Sequence, residues 1–246
     1  MNTPDIRIQR CNEVSLFRQM EDLQLQIWGY TERDLVPSQM FVVAVKSGGE
    51  VLGAFVGDRL VGFTLAYAAI RDGQQYLHSH MAAVLPEYRD RGLGRALKLA
   101  QRENALTRDI KRIEWTFDPL QGKNAYLNLC RLGATASCYL RNVYGSTSSP
   151  LHAGLPTDRL RADWLLDSPR VVQILEGGSP AIAPGAERVE VEPLLEETDF
   201  QKLSQGQSRL REQFETFFSR GYSATWLERR NSGFAYVLEP PVESKR

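Results

Sequence analysis

Hydrophobic positions along this chain change period several times, and each change marks an element. After Asn12, a residue type that caps helices, Leu16, Met20, Leu23, Ile27 and Trp28 recur at helical spacing and predict a first helix. A polar loop, YTERDLVPSQ, follows. Residues 50–56 and 60–70 flank the pair Gly57-Asp58 and predict two strands joined by a tight turn. A third strand is expected over 75–85, stopped by Pro86. The period then becomes helical, with Leu93, Ala96, Leu97, Ala100 and Leu106 marking a helix over 92–108. A short strand over 112–117 ends at Asp118-Pro119, and a short helix over 123–132 is closed by Gly133. Strands are expected at 139–143 and 160–164, on either side of the loop YGSTSSPLHAGLPTD.

Residues 178–185 (GSPAIAPG) are rich in Pro and Gly and make the best linker candidate. Beyond them come a strand over 188–191 and a helix whose face carries Leu203, Leu210, Phe214, Phe217 and Phe218, with Gly221 closing it. A hairpin of 222–229 and 234–238 turns at Asn231-Ser232-Gly233. The whole reads as mixed α/β with a C-terminal helix and β-hairpin extension. Its aromatic helix face must be covered by the core or by a second subunit in a homodimer.

Composition narrows the function classes. The 246 residues suffice for a large domain plus an extension, and 42% hydrophobic with 24% charged residues suits a soluble globule. Thirty Lys+Arg balance thirty Asp+Glu, so no global charge argues for nucleic acid or an anionic membrane. No apolar run is long enough to span a bilayer, and MNTPDIRIQR lacks the apolar core of a secretory signal. Cys11, Cys130 and Cys138 have no metal-ligand spacing and are expected as reduced thiols in the cytoplasm.

One stretch carries chemistry. Arg89-Asp90-Arg91-Gly92-Leu93-Gly94-Arg95 lies between a proline-stopped strand and a helix, where bare backbone N–H groups form an anion site. A nucleoside-triphosphate loop would need Lys and then Ser or Thr after Gly94, and a dinucleotide fingerprint would need glycine at Leu97. The remaining pattern, Arg-x-x-Gly-x-Gly, resembles the acyl-CoA signature of the GNAT N-acetyltransferase superfamily. The preceding hairpin, the following amphipathic helix and the Leu132-Gly133-Ala134 helix end fit that family's order of elements over about 10–166.

The resemblance implies a GNAT-type acyl-CoA N-acyltransferase fold, with a mixed, mostly antiparallel sheet flanked by helices, over 1–166. Residues 167–246 form the α+β extension. It implies acetyl-CoA, or another short acyl-CoA, as cosubstrate and a small-molecule amine as acceptor, with no metal. The CoA pyrophosphate would lie on the N–H groups of Arg91, Gly92, Leu93, Gly94 and Arg95, helped by the charges of Arg89 and Arg91. The pantetheine arm would pair with Ala82, Ala83 and Val84, and Asn124 matches a region where the family contacts CoA.

His78 and His80 share one strand face, which the resemblance places on the acceptor side as candidate bases. They serve equally as hydrogen-bonded core histidines. Glu114 is a second candidate base or a solvent-facing strand residue. The family's acid, a tyrosine four residues before the helix-ending glycine, falls on Leu129; Tyr126, Tyr139 and Tyr144 are nearby substitutes. The loop SPLHAGLPTDR is expected on the substrate side. A non-catalytic acyl-CoA-binding protein and a protein N-acetyltransferase are the alternative functions.

Overall fold

A computed structural model of the chain describes residues 6–31, 33–145, 154–192 and 200–241. Residues 146–153, which hold much of the expected substrate-side loop, lie outside that set. By packing, the chain divides into two compact units, one running to Trp115 and the other from Thr116 onward. This division differs in kind from the boundary at 166, which follows the span of the family resemblance.

The first unit is built around β1 (Ile6–Arg10), β2 (Glu50–Val56), β3 (Arg59–Arg71), β4 (Gln74–Val84) and β5 (Arg112–Phe117), in that spatial order. All its pairings are antiparallel except β4 with β5. Its helices are α1 (Val14–Trp28), α2 (Ser38–Lys46) and α3 (Leu93–Leu106). Neighbouring residues of a strand point to opposite faces. On β3, Phe63 meets Phe41 of α2 and Trp28 of α1 at ring distances of 5.8 and 6.3 Å. A Cβ added at Gly62, the next position, would come 3.5 Å from Leu97 of α3. The α1–α2 pair therefore covers one face of β3 and α3 the other.

Local chemistry explains the loop between α1 and α2. The side chain of Gln24, fully buried, donates to the Val36 carbonyl at 3.0 Å and accepts from the Val36 N–H at 2.9 Å. Glu21 accepts from the Ser38 N–H at the start of α2, where a carboxylate suits the helix dipole. Two expectations change here. Glu13, not Asn12, is the N-cap of α1, and no side chain bonds there. β1 and α2 were not anticipated.

The second unit holds α4 (Gly122–Tyr126), a π-turn over Leu127–Arg131, β6 (Thr135–Leu140), β7 (Arg159–Leu165), α5 (Pro169–Leu175), β8 (Glu187–Val191), α6 (Phe200–Ser219), β9 (Ser223–Arg229) and β10 (Phe234–Glu239). Its strands run in the order β7-β6-β9-β10-β8, all antiparallel where paired. The C-terminal hairpin thus adds directly to β6, through Ala136 and Ala224. Phe214 of α6 is fully buried, 5.9 Å from Tyr139 and 5.0 Å from Tyr236 by ring centroids. Tyr236 donates to the Pro119 carbonyl at 2.8 Å, and Trp164 to the Leu132 carbonyl at 2.7 Å. β6 begins and ends earlier than the expected 139–143, with its pairing to β7 shifted between Ala136 and Tyr139.

Candidate active site

Pairing between β4 and β5 is confined to Leu77 with Ile113 and His78 with Glu114. From Ser79 to Val84, β4 stays paired to β3 on one side and has no strand partner on the other. This bare edge leads into a 3-10 turn at Pro86–Tyr88 and then into the glycine loop. Asp90 and Gly92 both adopt positive φ, 58° and 80°, so the loop alternates its backbone hand, as anion-binding nests do. Gly92 caps α3, and its carbonyl accepts the first helical hydrogen bond, from Ala96 at 2.9 Å. The N–H groups of Leu93, Gly94 and Arg95 therefore stand at the open, positive end of a helix.

The two glycines differ in role. Gly92 needs its left-handed φ, whereas Gly94 lies in ordinary helical backbone within the first turn of α3. Arg89 is tied down locally: its Nε donates to the Val84 carbonyl at 3.0 Å, which occupies one backbone acceptor of the edge. Arg91 is exposed, with its guanidinium 5.9 Å from the Tyr88 ring centroid. Ala82 is exposed, Ala83 buried and Val84 half-buried.

The register of β3 and β4 slips between Leu65 and Ala66, so that Met81 pairs with Leu65 and Ser79 with Ala66. His80 is the extra residue of this bulge, a feature that re-aims side chains beside functional sites. Its ring lies 5.8 Å from Tyr67 and 6.2 Å from His78. Both histidines are half-buried, and burial pushes both imidazoles below their ordinary value. The charge of Glu114 pulls His78 partly back up, while His78 lowers His80 further.

Glu114 does not face solvent. It is 1% exposed, with one oxygen 2.7 Å from Arg112 Nη2 and also bonded to Arg71. A carboxylate held by two guanidiniums is poorly placed to take a proton from an amine. Among the described residues, no three His, Cys, Asp or Glu side chains converge on a metal-sized space.

On the other face of β4, a lysine is buried. Lys98 of α3 is 4% exposed; its Nζ donates to Ser79 Oγ at 3.0 Å and Gln101 Oε1 at 2.7 Å, and lies 3.9 Å from the Trp115 ring centroid. Burial pulls its ammonium down to about 7, against an upward pull from Glu50. Sequence reasoning missed this group, although Lys98 belongs to the same helical stripe as Leu97, Gln101 and Ala105.

In the second unit, Asn124 lies on α4 and its Oδ1 accepts from Asn128 at 3.4 Å. Leu129 is fully buried. Of the substitute tyrosines, Tyr139 donates to Asp158 at 2.8 Å, and burial with that carboxylate drives its phenol far above the ordinary value. Tyr126 is 48% and Tyr144 46% exposed. The Tyr144 hydroxyl is 3.0 Å from Thr116. Tyr139 is thus engaged by Asp158, whereas Tyr126 and Tyr144 are partly exposed.

Residues 11–129 match the sequence profile described as Acetyltransferase (GNAT) family. No curated protein has a significant match to the chain. Among solved structures, smu.2055 of Streptococcus mutans UA159 is similar at TM-score 0.53 and 19% identity, covering 65% of this chain and 99% of that one. A GNAT-family protein of Desulfovibrio desulfuricans is similar at TM-score 0.52 and 14% identity, over 66% and 99%. The ribosomal-protein-S18-alanine N-acetyltransferase of Escherichia coli follows at 0.51 and 16%, over 67% and 96%. At such identities these likenesses speak for the fold alone. Residues 11–129 thus match the GNAT acetyltransferase family model, and the chain shares its fold with GNAT acetyltransferases of known structure.

Proposed function

We propose that this protein moves an acetyl or other short acyl group from acyl-CoA to the primary amine of a small molecule. The observation that carries this reading is the bare β4 edge running into a glycine-opened helix start. An extended arm with amides can pair along the edge at Ala82, whose backbone faces the bare side, and a pyrophosphate suits the N–H groups of Leu93, Gly94 and Arg95. Asn124 is a further candidate CoA contact.

The acceptor nitrogen attacks the thioester carbonyl carbon, the C–S bond breaks, and CoA leaves as a thiolate. Unpaired N–H groups of the β4 edge are candidates to hold the oxyanion that develops. The amine must shed a proton, and His78 or His80, kept neutral by burial, receives it directly or through a water. Glu114 is better read as the ion-paired partner of that face than as the base. On this reading the protein works in the cytoplasm, as a monomer or homodimer, on neither nucleic acid nor membrane.

Mixing acetyl-CoA with the protein and a panel of small amines, and following free thiol, tests the proposal. Amine-dependent thiol release is expected. Tight acetyl-CoA binding without release from any amine would favour a non-catalytic binder, the reading that buried Leu129 supports. Release only with peptide N-termini would favour a protein acceptor.

A further inference from the structure

Strands β3, β4 and β5 put Tyr67, Arg71, Tyr76, His78 and Glu114 on one face of the first unit. His78 pairs with Tyr67 on one side and with Glu114 on the other. Arg71, at the end of β3, sends its side chain across β4: Nη1 bonds to Glu114, and Nη2 donates to the Tyr76 hydroxyl at 3.1 Å. The guanidinium therefore lies over β4, toward His78. Burial is the first cause that lowers the His78 imidazole, and the charges of Glu114 and Arg71 then act on it in opposite senses, as near neighbours do.

The two signs of charge are not equally accessible on this face. Glu114 is the one carboxylate that these strands put there; it is 1% exposed, and Arg71 and Arg112 share one of its oxygens. An arriving ammonium cannot reach it. Asp72, the next carboxylate along the chain, stands exposed in the β3–β4 turn. The Arg71 side chain, by contrast, is 36% exposed, and its two hydrogen bonds use two of the five N–H groups a guanidinium carries. A guanidinium with N–H groups to spare at an open face is a carboxylate site.

Building on the reading that an amine attacks acyl-CoA beside the histidines, we propose that the acceptor is an amino acid, an amine that also carries a carboxylate, and that Arg71 holds the carboxylate. Nitrogen bonds to the acyl carbon, the C–S bond breaks, and the proton lost from nitrogen passes to a histidine of this face. The products are an N-acyl amino acid and CoA, with the carboxylate unchanged throughout. A polyamine would meet guanidinium charge and no reachable carboxylate. A plain monoamine would gain nothing from Arg71. A molecule with both groups a few bonds apart uses the base and the guanidinium together.

The test is thiol release from acetyl-CoA by the full chain, with each standard L-amino acid, β-alanine and γ-aminobutyrate set against its own carboxamide, and with spermidine as a polycation. At least one acid should exceed its amide about tenfold or more in kcat/KM, the scale of one charged hydrogen bond, and spermidine should be poor. Arg71→Gln should bring that ratio close to one, mainly through KM for the acid, and Arg71→Lys should restore part of it. The ratio is taken within each variant, so a partly folded preparation leaves it readable. Amides or spermidine accepted as well as the acids would overturn the proposal while leaving amine acylation standing. A ratio that survives in Arg71→Gln would remove Arg71 from the site. Thiol release with no amine of any kind would overturn the underlying reading, and this inference with it.

Discussion

At the scale of single residues, three side chains carry most of the expected behaviour. Because burial lowers both imidazoles, kcat/KM should rise with pH through an ionisation below the ordinary histidine value of 6.5 and be flat above it. The double variant His78→Ala, His80→Ala should lose about 10²–10⁴-fold in rate while keeping acetyl-CoA affinity; a twofold loss would return both to packing. Gly92 stands at φ 80° with nothing within 4 Å of an added Cβ. Gly92→Ala should therefore cost about 1–2 kcal/mol from backbone strain alone and weaken acetyl-CoA binding, whereas Gly92→Asn should be milder. Lys98 gives a pH signature in stability. Its folded value of about 7 lies below its ordinary 10.5, so between those values the folded chain holds fewer protons than the unfolded one. Stability from this group rises with pH across that window and is lost as pH falls through 7. Lys98→Met should flatten that rise, read from urea midpoints between pH 7 and 10. An unchanged slope would show that another group sets it.

At the scale of elements, what could be read from the residues depended on how locally each signal was written. β2, β3, β4 and β5 follow from short apolar or alternating runs bounded by turn residues, and their ends fall within a residue or so of expectation. α2 escaped because SQMFVVAVK is only nine residues long and rich in β-branched valine, so its helix rests on packing and on Glu21 across the loop. α5 goes unpredicted although its start is written locally: Ser168 caps it, accepting from the Val171 N–H at 3.4 Å, and Pro169 follows at the first helical position. The glycine loop was readable because a backbone requirement leaves glycine in the sequence. The pairing of Arg71 with Glu114 spans 43 residues, and no local pattern announces it. The connection from α2 to β2 offers a sharp test. A Cβ on Gly49 would lie 2.2 Å from the Ala66 carbonyl oxygen and 2.7 Å from that of Ala44. Backbone cannot step aside as a side chain can, so Gly49→Ala should cost about 3 kcal/mol or more by chemical denaturation.

At the scale of the molecule, the C-terminal third is no appendage. β9 bonds to β6, Cys130 accepts from the Leu227 N–H at 3.3 Å, and Phe214 is buried against Tyr139 and Tyr236. Truncation after residue 178 should therefore strip β6 of a neighbour, expose this apolar surface and give an aggregating protein. A soluble, monomeric fragment of unchanged thermal midpoint would show instead that the extension folds on its own. The open side of β4 has a different consequence. Amides that point toward β3 are held, but those on the bare side between 79 and 84 have no sheet acceptor, so deuterium should enter alternate residues at two speeds. A cosubstrate lying along this strand would take the place of the missing neighbour and slow the fast set. The order in which those amides become slow, as the acyl-CoA is shortened from its nucleotide end to the bare thioester, would trace the molecule's path across the protein one peptide at a time.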